Sequence, residues 1–356
     1  MGNPVNLAAR LMGQAATETI LCDYPTYQAT KTAIEYKTLS PIRVKGRIDL
    51  LQIYQPLRIK QQESELETKG VMVGREVEQS QLENSLDQIE TERPQLILIE
   101  GDAGIGKSTL IEQFTEVWRR RGHVGLIGAA QSIEQQTAYL AWSDIFISFF
   151  GLELLTGSVE KQKQVTATFQ QILPAQADWL PLINDILHIG LPENEQTSAL
   201  AADIRQQKLQ DILISLLRRW LQDSALILVL EDAHWLDSLS WRLTRQIAKT
   251  IMTDSLPLAL VIVSRPINDT DLGYPHWHWL QQQTDHLTVL PLKTLDNDAI
   301  NQLIANTVQA DPQIIPPPIV EFIQGRANGN PFFAEELTAT LRERGIIRVE
   351  NGRCSL

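Results

Sequence analysis

Short, continuous apolar runs recur along the chain and alternate with stretches of helical periodicity. Five of these runs have the length of a strand, and they occupy residues 95–100, 123–129, 225–231, 258–264 and 286–292. A run that is apolar throughout is typical of a strand buried on both faces, as in a parallel sheet whose strands are joined by helices. The pattern therefore predicts an α/β fold with a mostly parallel sheet.

A different pattern follows the last of these runs. Helical periodicity continues after Leu292 in DNDAINQLIANTV, PPIVEFIQG and PFFAEELTATLRERG, without another buried strand between them. This change predicts an appended helical subdomain. The final stretch, RGIIRVENGRCSL, has the pattern expected for the start of a winged helix.

The first 60 residues form a separate short piece. MGNPVNLAARLM begins with a Gly-Asn-Pro turn and continues with apolar residues at helical spacing, so Asn6 and Arg10 lie four residues apart on one face. QQESELETKG is polar without an apolar period and indicates a linker or the exposed end of a helix. We predict four regions, namely an N-terminal piece at 1–60, a linker at 61–70, an α/β domain at 71–292 and a helical subdomain with the start of a winged helix at 293–356.

Size and composition limit the class of protein. A chain of 356 residues with 43% hydrophobic content can build roughly two domains. Its longest apolar runs, such as ALILVL and LALVIV, are far shorter than the roughly 18 residues of a membrane span, and no secretory signal pattern opens the sequence. We therefore expect a cytoplasmic protein without a membrane partner, in which Cys22 and Cys354 are free thiols.

The negative charge is unevenly distributed. Residues 1–60 carry eight Lys and Arg against four Asp and Glu, or +4, so the formal total of −12 leaves −16 for residues 61–356. Nucleic-acid binding normally needs a basic face that neutralises phosphates, and only RVKGR and WRRRG are basic here. We therefore expect no nucleic-acid partner.

The clearest chemical motif follows the first strand-like run. GDAGIGKST fits the pattern G-x-x-x-x-G-K-[ST] and stands between the strand LILIE and the helical TLIEQFTEVWRRRG. Such a loop curls backbone N–H groups around phosphate oxygens at a helix N-terminus, while its lysine reaches the β- and γ-phosphates and its hydroxyl binds Mg²⁺. The predicted ligands are ATP and Mg²⁺, and the predicted binding residues are Gly101, Gly104, Gly106, Lys107, Ser108 and Thr109.

A phosphate-binding loop of this kind needs acidic groups at a neighbouring strand end. LILVLEDAHW supplies Glu231 and Asp232 after a buried strand, where ligands bind in open α/β sheets, and either acid can serve the metal. VIVSRP places Arg265 at the same edge, as a sensor of the γ-phosphate or as an ordinary surface arginine. We predict a catalytic set of Lys107, Glu231, Asp232 and Arg265 and a metal site of Ser108, Glu231 and Asp232.

Several motifs in a fixed order resemble one family. VGRE at 73–76, the phosphate-binding loop, LVLEDAHWLD, VIVSRP and GNPFFAEEL at 329–337 are similar to the STAND class of AAA-related signalling ATPases. The resemblance implies that Arg75 lies near the adenine, that Arg265 is a sensor and that Pro331 packs on the nucleotide. It also implies that the strand-end acids handle Mg²⁺ and the attacking water. Glu231 departs from the usual Asp, which leaves the division of labour between the two acids open.

The N-terminal piece has a resemblance of its own. GNPVNLAARLM and PIRVKGRIDLLQIYQPL are similar to the last third of a class III nucleotide cyclase catalytic domain, especially in adenylyl cyclases that carry a STAND ATPase behind it. This implies that Asn6 and Arg10 stabilise the transition state and that Lys45 contacts the triphosphate; a solvated helix face and an edge lysine are the alternative. Because that family's metal-binding aspartates would precede Met1, we expect a piece of a longer protein or a gene that has lost its front, without cyclase activity of its own.

Two functions follow as expectations. The first is the nucleotide-switched ATPase of a cyclase-linked signalling protein, with ATP, ADP and other domains of a longer chain as partners. The second is a scaffold that binds nucleotide without hydrolysing it. A transcription regulator with a winged helix is disfavoured by the charge of −16. HWHW at 276–279 has no third metal ligand of suitable type nearby, so we interpret it as aromatic packing.

Overall fold

The chain divides into two compact units, Met1–Val71 and Met72–Leu356. The computed structural model describes residues 11–12, 15, 19–31, 34–39, 41–42, 51–59, 72–132, 137–222, 224–266, 279–280, 282, 287–350 and 353–355. Asn6, Arg10 and Lys45, and the histidines of HWHW, lie outside the described residues. In the described ranges, no helix is both long enough and apolar enough to cross a membrane.

The first unit contains a short helix and a pair of strands. Helix α1 (Tyr24–Thr30) begins after Asp23, whose carboxylate accepts the N–H of Thr26 at 3.0 Å. Strand β1 (Ile34–Thr38) pairs antiparallel with β2 (Tyr54–Ile59). Tyr27 stacks on Tyr54 with ring centroids 4.0 Å apart, so an aromatic contact links the helix to the strand pair.

The second unit alternates helices and strands around one sheet. Its elements, in chain order, are α2 (Glu76–Glu90), β3 (Gln95–Glu100), α3 (Lys107–Arg120), β4 (Val124–Ala129), α4 (Leu140–Phe149), α5 (Ser158–Ile172), α6 (Asn184–Leu187), α7 (Glu195–Ser198), α8 (Ala202–Trp220), β5 (Leu226–Glu231), α9 (Ser238–Thr253), β6 (Leu258–Ser264), β7 (Leu287–Pro291), α10 (Asn297–Val308), α11 (Pro317–Ala327), α12 (Pro331–Glu343), β8 (Arg348–Glu350) and β9 (Arg353–Ser355). A 3₁₀ segment, Pro174–Ile183, joins α5 to α6.

Within the described residues, five parallel strands form the central sheet in the order β4-β5-β6-β3-β7. Each coincides with one of the apolar runs in the sequence, and the predicted α/β fold is confirmed. Strand β6 is buried along its whole length because strands flank it on both sides and helices cover both faces. The edge strands depart from the expectation of complete burial: Val124 and Ile127 of β4 and Val289 of β7 are partly exposed.

Two apolar cores lie on opposite faces of this sheet. One face carries Ile97, Ile99, Val229 and Val261, which pack with residues of α2 and α3. The other face packs against the helical segment between β4 and β5 and against α9. Successive strand residues alternate between the two cores, so Glu231 extends toward the face that carries α3.

Helices α10 to α12 have a third apolar core of their own, which includes Ile300, Ile304 and Ile323. Helix α12 begins with Pro331 at its first position, where a missing N–H is tolerated, and Asn330 is its N-cap. Strands β8 and β9 form an antiparallel pair after this helix. The predicted helical C-terminal region is confirmed.

Candidate functional site

The phosphate-binding loop connects β3 to α3, and its glycines adopt conformations that other residues avoid. Gly106 is the N-cap of α3 with φ 96°, and Gly104 has φ 74°. A Cβ on Gly104 would lie 2.8 Å from the Cβ of Phe332 and 3.0 Å from Oδ1 of Asn330. Gly104 is therefore required both by its left-handed backbone and by the close approach of α12.

Lys107 spans the loop from the first turn of α3. Its Nζ donates hydrogen bonds to the carbonyl of Gly101 at 2.7 Å and to that of Asp102 at 2.9 Å. The side chain is only 9% exposed, and this desolvation lowers the pKa of Lys107, while Asp232 opposes the shift. The ammonium is thus held at the loop, beside acidic groups, by contacts that phosphate oxygens can replace.

The start of α3 and the end of β5 lie next to each other at Ser108 and Glu231. The Ser108 hydroxyl lies close enough to the Glu231 carboxylate to lower the pKa of Glu231. Burial has the larger effect and raises that pKa, and the neighbouring charges of Asp232 and Glu112 raise it further. The Glu231 carboxylate therefore lies in a partly desolvated, negatively charged position that a cation would stabilise.

The donor chemistry of this position fits Mg²⁺, which prefers oxygen ligands and keeps part of its shell for phosphate and water. Ser108 and Glu231 offer two such oxygens on neighbouring side chains, and Asp232 follows Glu231 in the sequence. In the part of the chain that the structure describes, no group of three or more His, Cys, Asp and Glu is placed to hold a metal by itself. Phosphate oxygens and water would have to complete the shell of a Mg²⁺ ion here.

Arg265 follows β6 at the same carboxyl edge of the sheet. Its backbone N–H lies 3.5 Å from Nδ1 of His234, and its charge lowers the pKa values of both Lys107 and His234. The structure therefore brings Arg265 together with Lys107 and the acids Glu231 and Asp232, as the sequence predicts. The catalytic and metal-binding roles of these residues remain predictions.

Arg75 is buried between the phosphate-binding loop and the segment after β7. The Arg75 side chain is only 5% exposed. Its Nη2 donates hydrogen bonds to the carbonyl of Ile105 at 3.1 Å and to the carbonyl of Lys293 at 2.6 Å. Its Nη1 forms an ion pair with the carboxylate of Glu78 at 3.3 Å. Arg75 thus joins the phosphate-binding loop to the segment after β7, and its contact with adenine remains a prediction.

Pro331 lies against the loop. Its Cγ is 3.9 Å from the position that a Cβ on Gly106 would occupy. The N–H of Phe332 donates to the carbonyl of Gly104 at 3.2 Å, and Nδ2 of Asn330 donates to the carbonyl of Ala103 at 2.9 Å. The first turn of α12 therefore contacts the phosphate-binding loop directly, while packing of Pro331 on a nucleotide remains a prediction.

The sequence reasoning missed Asn330 and His234. An Asn directly before a Pro that opens a helix is an N-cap pattern, which was available in GNPFF but gives no sign of a second partner. His234 follows the two acids in LEDAHW, and burial lowers its pKa. Its position beside the acids in the sequence was the available signal.

Comparison with family models gives two matches. The first, described as AAA ATPase domain, covers residues 71–262 and includes the phosphate-binding loop, Glu231 and Asp232. The second, described as Domain of unknown function (DUF8739), covers residues 301–355.

Curated relatives align with nearly the whole chain at low identity. Adenylate cyclase type 10 of Rattus norvegicus is 21% identical over 98% of this chain and 22% of its own length. The Homo sapiens protein of the same name is 20% identical over 98% of this chain and 21% of its own length. An uncharacterized protein of Rhizobium meliloti is 23% identical over 75% of this chain and 25% of its own length. The chain thus spans only about a fifth of the length of the adenylate cyclases that it matches.

Solved structures match most of this chain at low similarity. The Aeropyrum pernix ORC1 protein in complex with DNA has a TM-score of 0.46 and 15% identity, covering 81% of this chain and 64% of its own. Cdc6p from Pyrobaculum aerophilum has a TM-score of 0.45 and 16% identity, covering 78% of this chain and 64% of its own. The absence of a nucleic-acid partner for the present chain remains a prediction.

The family assignment rests on a match that spans more than half of the 356 residues. It includes the loop between β3 and α3 and the acids that follow β5. This chain belongs to the AAA ATPase domain family.

Proposed function

We propose that this chain is a STAND-class ATPase module that binds MgATP, hydrolyses it slowly and changes conformation with the bound nucleotide. The observation that carries the proposal is the meeting of Lys107, Ser108 and Glu231 at the carboxyl edge of the sheet. A lysine bonded to replaceable carbonyls and a hydroxyl beside a carboxylate are the groups that a triphosphate with its cation requires.

Each of these residues has a role in the proposed site. Backbone N–H groups at the start of α3 bind phosphate oxygens, and Lys107 exchanges its bonds to the loop carbonyls for bonds to the β- and γ-phosphates. Bound Mg²⁺ supplies positive charge for the phosphate oxygens. We assign Ser108 and Glu231 to hold it because the hydroxyl and the carboxylate are neighbours at this edge of the sheet.

The remaining two residues act on the γ-phosphate side. Asp232, next to Glu231, is assigned to orient the attacking water, since Glu231 is engaged with Ser108. Arg265 provides a cation at the same edge, close enough for its charge to act on Lys107. It would respond to the charge of the γ-phosphate and its loss on hydrolysis.

We further propose that the module belongs to a longer cytoplasmic signalling protein that makes cAMP. The support is the extent of the alignment with adenylate cyclase type 10, which at about 20% identity runs through 98% of this chain and so includes most of residues 1–60. Those residues would be the end of a class III cyclase domain, with Asn6, Arg10 and Lys45 as its remaining catalytic residues. Other domains of the same protein would be the partners of the ATPase.

A scaffold that binds nucleotide without turnover is the alternative, and one observation favours it. The family's usual Asp is replaced by Glu231, whose longer side chain lies beside the Ser108 hydroxyl. If that contact persists with nucleotide bound, Asp232 has no ordered metal shell against which to orient water.

Binding and turnover measured together distinguish these functions. Titration calorimetry with MgATP should show binding by residues 1–356 that Lys107→Ala weakens by at least about 2 kcal/mol, because a charge-assisted contact is lost. Phosphate release should exceed that of Lys107→Ala. Binding with turnover equal to that variant would favour the scaffold, and the absence of MgATP and MgADP binding would refute the proposed function.

A further inference from the structure

We infer that Asn330 is a positioning residue for the phosphate-binding loop and that it couples the state of this loop to α12. The inference rests on the proposed function, because it concerns how the nucleotide site communicates with the helical subdomain. It assigns a role to a residue outside the loop and the strand-end acids.

Both polar atoms of the Asn330 side-chain amide form hydrogen bonds. Its Oδ1 accepts the N–H of Phe333 at 3.4 Å, which makes it the N-cap of α12. Its Nδ2 donates to the carbonyl of Ala103, at the tip of the loop, at 2.9 Å. One planar group therefore fixes the start of a helix and the direction of a loop carbonyl at the same time.

A second contact of the same kind lies beside the first. The N–H of Phe332 donates to the carbonyl of Gly104 at 3.2 Å. The side chains of Asn330 and Phe332 leave no room for a Cβ on Gly104, so the two chain segments approach more closely than any other residue at position 104 would allow. Two successive loop carbonyls are thus bonded to the first turn of α12.

These bonds determine the direction in which the N–H group of Gly104 points. In a trans peptide the N–H points opposite to the C=O, so the Ala103 carbonyl bonded to Asn330 turns the Gly104 N–H away from α12. Loops of this type bind phosphate through such N–H groups. A phosphate at that N–H would polarise the peptide and strengthen the Asn330 bond, so binding and docking of α12 should favour each other.

Arg75 provides a useful comparison. It bonds the carbonyl of Ile105 and that of Lys293, so it also holds the loop from outside. Arg75 precedes α2, however, whereas Asn330 belongs to α12 itself. Among the described residues, only the Asn330 contact connects a loop carbonyl to the N-cap of a helix in the C-terminal subdomain.

Substitution at position 330 separates the two bonds. Asn330→Ser keeps an N-cap acceptor but is too short to donate to Ala103, and Asn330→Asp keeps the acceptor without the amide donor. Both should lower the affinity for MgADP about three- to tenfold, the loss expected for one hydrogen bond. Both should also abolish most of the increase in hydrogen-exchange protection that MgADP produces in residues 331–343 of the native chain.

Asn194 offers a matched control. It caps α7 by accepting the N–H of Thr197 at 2.8 Å and donates from Nδ2 to the carbonyl of Asp178 at 2.7 Å, the same dual use on a different element. Asn194→Ser should therefore leave MgADP affinity and the protection of α12 unchanged. An equal effect of Asn194→Ser would mean that general destabilisation explains the result.

The outcomes separate this inference from the proposed function. Native-like MgADP affinity and native-like protection in Asn330→Ser would overturn the inference while the nucleotide site stands. A loss in Asn330→Asp alone would also overturn it, because charge repulsion rather than the missing donor would then be the cause. If the native chain itself binds no MgADP, the proposed function fails and the inference with it.

Discussion

The hydroxyl of Ser108, on the first turn of α3, lies beside the carboxylate of Glu231 at the end of β5 and lowers its pKa. The contact joins the phosphate-binding loop to the strand that carries the acidic pair. Asp232 adds its negative charge to the same position, where burial already raises the pKa of Glu231. The two acids therefore occupy different environments, and this difference predicts different roles.

Exchange of each acid for its amide should reveal those roles. Asp232→Asn should leave MgATP binding largely intact and lower hydrolysis by about a hundredfold or more, because a water-orienting group is lost. Glu231→Gln should instead weaken binding in the presence of Mg²⁺. Calorimetry and phosphate release on both variants check this, and an equal loss of binding in the two would contradict the assignment.

The pKa of Glu231 also predicts how stability depends on pH. Its folded pKa is raised above the ordinary value of 4.5, so the folded state binds more protons than the unfolded state between the two pKa values. The free energy of unfolding therefore falls as the pH rises through that interval. Glu231→Gln has no carboxylate to ionise in this buried position, and it keeps an oxygen that can accept from Ser108. In the absence of nucleotide and Mg²⁺, it should therefore be more stable than the native chain at about pH 8.

Urea unfolding of both proteins at about pH 5 and pH 8 measures this effect. The stability advantage of Glu231→Gln should shrink as the pH falls toward the ordinary range of a glutamate. An advantage that is independent of pH would show that the buried carboxylate is not its source.

Gly104 provides a test of the contact between the loop and α12. Gly104→Ala introduces a Cβ at φ 74° that would lie 2.8 Å from Phe332, so backbone strain and a steric clash add together. Gly122→Ala is the matched control, since Gly122 has φ 88° and nothing within 4 Å of the added Cβ. The control should cost roughly 1 to 2 kcal/mol of stability from strain. Thermal unfolding should show a clearly larger loss in Gly104→Ala, and equal losses would argue against tight packing of α12 on the loop.

The central strands of the fold were predictable because a strand that is buried on both faces is apolar at nearly every position. Leu226 to Leu230 of β5 are all buried, and their acidic successors fall at the carboxyl edge for the same reason. The positions of the edge strands were predicted correctly, but the exposure of their side chains was not. Val124 and Val289 are apolar yet partly exposed, because they lie in edge strands, which have a neighbouring strand on one side only. The sequence of a strand does not show whether it lies at the edge of a sheet.

The contacts around the loop were less predictable because they join distant parts of the chain. Asn330 bonds Ala103 across 227 positions, and Arg75 bonds Lys293 across 218. Motif order led to Arg75 and Pro331 through a nucleotide-contacting role, which remains a prediction, and the structure shows that both residues also contact the loop. Contacts between such distant positions become apparent only when the folded chain is examined.

The central claim, that nucleotide controls the helical subdomain, is tested most directly by hydrogen exchange across residues 316–345 with and without saturating MgADP. Protection should rise with nucleotide in the native chain, and it should rise much less in Pro331→Ala, because Pro331, the first residue of α12, lies against the loop at Gly106. Unchanged exchange in the native chain at saturating MgADP would contradict the claim and leave a static scaffold.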